Sequence, residues 1–314
     1  MRPAIPGTPA PDEPPPAACP GPDESPAAAR PAMRRSPGFG RAGVVPAHRA
    51  SGRSPTLPSQ AQREVGVDGS RAQGAMRSGV VWSVLRAELD RRAQRGAREL
   101  DVLDLGGGSG VSAVPLAELG HRVTVVDTSA DALATLQRRA AEAGVGQRVT
   151  PVQGEVERPP APVAETEFDL VLCHGLLEVV DDPAATLATV ARAVRPGGSA
   201  SVLAAGRAAA VLARALGGHP ADALRALTDP AGRWGDGDGM RRRFDTEGLV
   251  ALIASAGLTV EAVHGVRVVA DLVPGAVLDG VPGAAEALRE LEAAAAALPP
   301  YRDLAGQLHV LARR

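Results

Sequence analysis

The sequence contains no lysine and no asparagine, and aromatic residues and cysteines are scarce. All 34 basic side chains are therefore arginines, and together with 36 acidic residues they give a formal net charge of −2. This charge provides no global attraction to nucleic acid, although a local arginine patch is not excluded. The only two cysteines, Cys19 and Cys173, are too few for a disulfide framework or a cysteine-based metal site, which fits a reducing compartment.

Long apolar runs are also missing. No stretch approaches the roughly 18–20 apolar residues of a membrane span, and the amino terminus lacks the apolar centre of a secretory signal. The sequence therefore predicts a cytoplasmic protein. Residues 1–62 are crowded with proline, alanine, arginine, serine and glycine, and they cannot bury enough apolar surface to offset their ordering entropy. We expect a disordered tail over 1–62 and one folded domain over 63–314.

Within that domain, short apolar strands alternate with amphipathic helices. The predicted strands are Leu100–Leu105, Arg122–Val126, Val149–Val152, Phe168–Cys173, Ala200–Leu203, Leu258–Val269 and Gln307–Leu311. The predicted helices are one that ends near Gly96, followed by Val111–Leu119, Ala130–Ala143, Pro183–Val194, Thr246–Ala256 and Ala284–Leu298. Such alternation indicates βαβ units with right-handed crossovers. We predict an α/β fold with a Rossmann-like, doubly wound, mostly parallel seven-stranded sheet and an antiparallel late strand.

The segment Ala204–Asp245 is too long for an ordinary connection. Connections of this length in compact domains are typical of lids and binding elements. We therefore expect a substrate-side insertion here, beyond the carboxyl ends of the strands.

A glycine-rich turn, Gly106-Gly107-Gly108-Ser109-Gly110, follows the first strand and precedes a helix. Glycines let the backbone approach a ligand, and a helix amino terminus offers free N–H groups. The turn alone does not identify the ligand. Counted from Gly108, the sequence also matches the dinucleotide pattern GxGxxA, and Asp127 lies near the roughly 20-residue offset of a ribose-binding acid. A nicotinamide or flavin site is therefore one alternative.

Three motifs favour a different cofactor. Asp104 and the turn in register resemble the first motif of class I S-adenosylmethionine-dependent methyltransferases. The segment 168–178 resembles their fourth motif, and 187–198 resembles the helix and turn before their fifth strand. The resemblance implies S-adenosylmethionine as cofactor, bound by a set of residues on three strands. That set is Asp104, Gly106, Gly107, Gly108, Gly110, Asp127 for the ribose hydroxyls, and Glu155 and Val156 for the adenine.

Two members of that set have structural alternatives. Glu155 also fits a solvated loop acid, and Asp104 also fits a structural cap of the glycine turn. For Asp127 the chemistry is more direct, because ribose hydroxyls suit a carboxylate acceptor at the end of the second strand.

Further phrases are similar to the bacterial tRNA 5-carboxymethoxyuridine carboxyl methyltransferases. These are 74–77 with Trp82, 174–178, 265–268, and the ending 300–301 and 309–313. The resemblance implies that Arg77 pairs with the methionine carboxylate of the cofactor. It also implies that His174 contacts the cofactor, which makes His174 our candidate catalytic residue.

The substrate segment departs from that family. It carries Trp234, a Gly-Asp-Gly-Asp-Gly run and the cluster Arg241-Arg242-Arg243. We expect Arg242 and Arg243 to hold an anionic group of the acceptor, with a solvated charged face as the alternative.

The sequence offers no obvious catalytic dyad. A carboxylate acceptor has a pKa near ~4 and is already ionised at neutral pH, so its methylation needs no general base. An amine or phenol would need one, and His174 or Glu178 would be the nearest candidates. We predict an enzyme that methylates a carboxylate, with tRNA as a possible acceptor and no metal. A small-molecule methyltransferase, a non-catalytic cofactor-binding protein and an NAD-dependent oxidoreductase are the alternatives.

Overall fold

A computed structural model describes residues 79–314. The predicted tail over 1–62 and Arg77 lie outside the described residues. Strands in the described part are β1 (Asp101–Leu105), β2 (Arg122–Asp127), β3 (Val149–Gln153), β4 (Phe168–His174), β5 (Val194–Ala205), β6 (Thr259–Val266) and β7 (Gln307–Arg313). Helices of the first half are α1 (79–94), α2 (Ala113–Glu118), α3 (Ala130–Glu142), α4 (Ala161–Ala164) and α5 (Pro183–Ala193). Helices of the second half are α6 (Arg207–Leu216), α7 (Pro220–Thr228), α8 (Thr246–Ser255), α9 (Gly275–Gly280) and α10 (Ala284–Ala295).

The strands form one seven-stranded sheet in the order β3-β2-β1-β4-β5-β7-β6. The pairs among β1 to β5 are parallel, and β7 is antiparallel to both β5 and β6. The strand order reverses between β1 and β4, which is the switch point where ligands of open α/β sheets bind. The predicted α/β fold, with its mostly parallel sheet and antiparallel late strand, is confirmed.

The two faces of the sheet are covered by different helices. On one face, α5 and α8 pack through apolar side chains that include Leu187, Val190, Leu249 and Ile253. On the other face, α1, α2 and α3 pack through side chains that include Leu85, Leu116 and Leu136. Each fully buried leucine contributes about 1.5–3 kcal/mol relative to an exposed one. Burial on both faces therefore holds the strand ends at the switch point in place.

Side chains cap the amino termini of α3 and α5, the helices that follow β2 and β4 in the chain. The Ser129 hydroxyl accepts a hydrogen bond from the Ala132 amide at the start of α3. Asp182 caps α5 by accepting from the amides of Ala184 and Ala185, as the acid before Pro183 predicts. These caps satisfy amides that have no partner inside the helix.

The segment Ala204–Asp245 contains more regular structure than the sequence predicted. It includes the end of β5, then α6 and α7, and finally an irregular loop over 229–245. None of the residues of α6 is buried, so a pattern of core residues could not predict this helix. No helix in residues 79–314 is long and apolar enough to cross a membrane.

Candidate active site

A cavity of about 330 Å³ lies at the switch point, beside the ends of β1 and β4. This volume falls within the range of small-molecule sites, about 300–1,000 Å³. The cavity is lined by Val81, Trp82, Leu85, Asp104, Gly106, Gly107, Gly108, Ser109, Val111, Ser112, His174 and Leu203. Larger cavities of about 440 and 540 Å³ lie along α1 and the edge strand β6. The glycine turn and the strand topology assign the ligand to the 330 Å³ cavity.

The glycine turn forms one wall of this cavity and has no room for a side chain at Gly107 or Gly110. A Cβ atom on Gly107 would lie 2.5 Å from Cγ of Asp104 and 2.8 Å from Cγ1 of Val125. Gly110 has a φ of 78°, and a Cβ there would collide with the buried Leu136 side chain. The sequence therefore needs glycine at these positions, and the result is bare backbone facing the cavity.

Asp127 supports the turn from the end of β2. Its Oδ2 accepts a hydrogen bond from the Gly108 amide at 3.0 Å, and its Oδ1 accepts one from the Ser129 amide at 2.8 Å. The carboxylate thus links the glycine turn to the start of α3. It lies beside the cavity wall, and its contact with ribose hydroxyls stays a prediction.

Asp104 is buried at the base of the cavity. Among residues 79–314, no donor forms a hydrogen bond with its carboxyl group, which lies close to Gly107 of the turn, and its role stays a prediction. Burial, reinforced by the negative charge of Asp127, raises the pKa of Asp104 to about 7. A carboxyl group in this situation favours a cationic ligand group, which would stabilise its ionised form.

His174 ends β4 and lines the same cavity. Its Nε2 lies 2.8 Å from the Ser201 hydroxyl on β5. Burial lowers the pKa of His174 to about 4, so the imidazole is neutral at pH 7.

Glu155 and Val156 lie outside the cavity lining. Glu155 is exposed, and Val156 is buried in the core beneath the sheet. Their contact with adenine remains a prediction. Glu178 also lies outside the lining, and burial raises its pKa.

Comparison with known proteins bears directly on this site. A family model described as a methyltransferase domain matches residues 102–198. We refer to residues 102–198 as the methyltransferase domain. This match decides against the dinucleotide alternative, and the cofactor of the domain is S-adenosylmethionine.

Two curated relatives share this part of the chain. The chain is 36% identical to a tRNA 5-carboxymethoxyuridine methyltransferase of Escherichia coli (strain K12), over 42% of this chain and 49% of that protein. It is 39% identical to a ubiquinone biosynthesis O-methyltransferase of Aromatoleum aromaticum, over 35% of this chain and 45% of that protein. The matched part is therefore about half the length of each relative. An S-adenosylmethionine-dependent methyltransferase structure from Mesorhizobium loti aligns with a TM-score of 0.49 and 19% identity, covering 76% of this chain and 100% of that one.

The residues of the glycine turn fit this cofactor. Gly107 exposes its backbone in the cavity wall, and the Asp104 carboxyl group has no hydrogen-bond donor among residues 79–314. A buried carboxyl group at this position is consistent with a cofactor that carries a positive charge, and the contact of Asp104 with the cofactor stays a prediction.

Arg243 does not face the cavity of the methyltransferase domain. Its guanidinium is only 6% exposed and forms two hydrogen bonds with the Asp238 carboxylate, at 2.6 and 3.0 Å. It also lies over the Trp234 ring, 4.0 Å from its centre. Because Asp238 of the Gly-Asp-Gly-Asp-Gly run supplies its counter-charge, the structure gives no support to the expectation that Arg243 holds an anionic group of the acceptor, and that expectation stays a prediction.

Arg242 is likewise engaged with the protein itself. Its guanidinium donates to the backbone carbonyls of Leu177, Val180 and Asp181 in the turn after β4. Arg241 pairs with the exposed Asp181 carboxylate. Arg241 and Arg242 therefore bind the 229–245 loop to the turn after β4, and these contacts give no support to an anion-binding role for Arg242.

Several lining residues escaped the sequence prediction. Val81, Trp82 and Leu85 of α1 close one side of the cavity. One of only two tryptophans in the chain, placed on a predicted amphipathic helix, was the available signal. Val111 was predicted inside a helix, but α2 begins only at Ala113 and Val111 is exposed in the cavity wall.

No group of three or more histidine, cysteine, aspartate or glutamate side chains suited to a metal ion is found within 79–314.

Proposed function

We propose that this protein transfers the methyl group of S-adenosylmethionine to a carboxylate oxygen, in the 5-carboxymethoxyuridine of tRNA or a similar acceptor. The observation that carries this proposal is the lack of a suitable base in the described lining of the cavity. Its only ionisable side chains are Asp104 and His174.

Neither side chain is suited to remove a proton from an amine or a phenol. His174 has a pKa of about 4 and is too weak a base for a group that titrates near ~10. Asp104 lies at the base of the glycine turn, where we place the cationic part of the cofactor. A carboxylate acceptor is ionised at neutral pH and needs neither of them.

The residues of the cavity would act mainly by orientation. When bound, the cofactor supplies an electrophilic methyl group. Asp104 and the glycine turn bind and orient it, while Val81, Trp82 and Leu85 exclude water from one side of the cavity. Holding two reactants in a near-attack arrangement removes much of the entropic barrier to a displacement.

The relatives support the choice of acceptor. One is named for methylation of tRNA 5-carboxymethoxyuridine and the other is named an O-methyltransferase, so both names are consistent with an oxygen acceptor.

Nucleoside mass spectrometry tests the proposal. tRNA from a strain that lacks the gene is compared with tRNA from the same strain carrying the wild-type gene or the Asp127→Ala variant. We expect the methyl ester of 5-carboxymethoxyuridine to disappear on deletion and to return with the wild-type gene only. Unchanged ester in the deletion strain would contradict the tRNA acceptor.

A small-molecule O-methyltransferase is the second candidate, and the match to a ubiquinone biosynthesis O-methyltransferase favours it. Purified protein, tested with S-adenosylmethionine and either a phenol or a carboxylate, separates the two. Methylation of the phenol with a rate that rises steeply with pH would favour the second candidate.

A further inference from the structure

Three polar side chains form a row across the sheet from the cofactor cavity. His174 on β4 contacts Ser201 on β5, and Ser201 contacts His309 on β7. Both contacts join an Nε2 atom to the Ser201 Oγ at 2.8 Å. Ser201 and His309 are fully buried, so no water competes for these bonds.

The single hydroxyl proton of Ser201 restricts the two histidines. A hydroxyl can donate one hydrogen bond, while its oxygen accepts others. If both contacts are hydrogen bonds and both rings are neutral, one Nε2 must carry a proton and donate to Oγ. The other Nε2 must be unprotonated and accept from the hydroxyl.

The surroundings of His309 decide which ring donates. Its Nδ1 is buried and has no hydrogen-bond partner among the described residues. A proton on that nitrogen would leave a buried N–H without an acceptor, which is rarer in native proteins than an unpaired acceptor. The neutral ring therefore carries its proton on Nε2 and donates to Ser201.

This assignment fixes the tautomer of His174, which lines the cofactor cavity. Ser201 then donates to Nε2 of His174, so that nitrogen is unprotonated. The single proton of the neutral His174 ring must lie on Nδ1, the nitrogen that remains for a ligand. Burial lowers the pKa of all three histidines nearby, His174, His264 and His309, which is consistent with neutral rings.

We propose that Ser201 and His309 are positioning residues that hold His174 in its Nδ1–H tautomer, so that the cofactor cavity is offered a hydrogen-bond donor and not a base. The ligand group that this donor suits is an oxygen acceptor, a carboxylate or a hydroxyl. The inference depends on the cofactor cavity alone, so it can fail or succeed independently of the proposed acceptor.

The neighbouring His264 donates no hydrogen bond to Nδ1 of His309. His264 on β6 lies beside His309, with ring centres 5.7 Å apart, and its own Nδ1 is buried without a partner in the described chain. The His174 and His309 rings meet edge to face at 6.1 Å.

Nitrogen NMR of the full chain tests the tautomers directly. Protein labelled with ¹⁵N-histidine, free of ligand at pH 7.5, distinguishes protonated from unprotonated ring nitrogens, and the spectra of His174→Gln and His309→Gln assign the signals. We expect the proton of His174 on Nδ1 and that of His309 on Nε2. A proton on Nε2 of His174 would overturn the proposal, and this measurement needs no variant at Ser201.

Variants then test whether the row does the positioning. Ser201→Ala removes the bridging hydroxyl, whereas Ser199→Ala, two residues away on β5, removes an equally buried hydroxyl that contacts Glu88 at 2.6 Å. We expect Ser201→Ala to mix the His174 tautomers and to weaken S-adenosylhomocysteine binding about 5- to 10-fold, the effect of about one hydrogen bond. Ser199→Ala should leave the His174 signals unchanged.

Two substitutions at His309 complete the design. His309→Gln retains an N–H donor toward Ser201 and should preserve the Nδ1–H tautomer of His174, whereas His309→Leu should lose it. If His309→Leu folds and keeps the wild-type tautomer and affinity, His309 has no positioning role.

Discussion

Asp104, next to the glycine turn, and Asp238, in the 229–245 loop, are both buried carboxyl groups, but their hydrogen-bond partners differ. In the loop, Asp238 accepts hydrogen bonds from Arg243 and from the amides of Trp234 and Met240. At the turn, the equally buried Asp104 has no donor within the described residues. The paired charges stabilise the loop, whereas we predict that the carboxyl group of Asp104 is available to a ligand.

The pKa values express the same difference. Burial opposes ionisation of Asp238, yet its hydrogen bonds with Arg243 hold its pKa below the ordinary value. Burial of Asp104 is not compensated, and its pKa rises to about 7. Burying a charge without a partner is costly, so functional sites are the usual places where proteins tolerate it.

The largest expected effect lies in the paired region. Arg243→Ala leaves Asp238 buried without its counter-charge, and we expect the free energy of unfolding to fall by about 3 kcal/mol or more. Cofactor affinity should stay within twofold, because Arg243 does not line the cavity. Chemical denaturation and calorimetry with S-adenosylhomocysteine measure the two quantities.

Arg241→Ala is the matched control. Its ion pair with Asp181 is exposed on both sides, and such pairs contribute less than about 0.5 kcal/mol. If Arg243→Ala weakened cofactor binding and left stability unchanged, the contrast drawn between Asp238, which stabilises the loop through its pairing, and Asp104, which is predicted to bind a ligand, would be wrong.

The next effect concerns Asp127, whose contact with the cofactor is a prediction and whose oxygens already accept two backbone hydrogen bonds. Asp127→Ala removes the contacts with the Gly108 and Ser129 amides as well as the predicted contacts with ribose hydroxyls. We expect cofactor affinity to fall by about 30- to 150-fold, equivalent to about 2–3 kcal/mol. Asp131→Ala, in the first turn of α3, should leave the affinity unchanged, and titration calorimetry compares the two variants. Equal affinities in both would remove Asp127 from the site.

The smallest effect is a pH dependence that belongs to Asp104. Its folded pKa of about 7 lies above the unfolded value of 3.8, so the folded state binds its proton more tightly. This contribution favours folding below pH 4 and is lost as the pH rises through 7. A cationic ligand requires the ionised form, so binding should release a proton below pH 7.

We expect S-adenosylmethionine affinity to fall by up to about tenfold for each pH unit below 7. Asp104→Asn should flatten this profile, and its stability relative to wild type should increase as the pH rises from 4 to 8. Calorimetry in buffers of different ionisation enthalpy measures the released proton. A wild-type profile as flat as that of Asp104→Asn would show that Asp104 does not face a cation.

Local sequence determined most of the fold. The strands are short and apolar, and Ser129, Asp182 and Asp245 cap the amino termini of α3, α5 and α8. Each of these features depends on residues that are only a few positions apart. The glycine turn could also be predicted, because only glycine tolerates the positive φ at Gly110 and the contact at Gly107. β6 ends earlier than predicted, at Val266, because the next residue, Arg267, adopts a φ of 60° and leaves the extended conformation.

What each charged or polar side chain does was decided only by tertiary structure. Arg241, Arg242 and Arg243 form a continuous basic cluster in the sequence. Their hydrogen-bond partners lie 5 to 65 residues away, and these contacts give the arginines a structural role. The row from His174 through Ser201 to His309 joins strands whose contacting residues are 27 and 108 positions apart. Backbone preferences act locally and can be inferred from neighbouring residues, whereas a hydrogen-bond partner is set by where the whole sheet brings two distant side chains together.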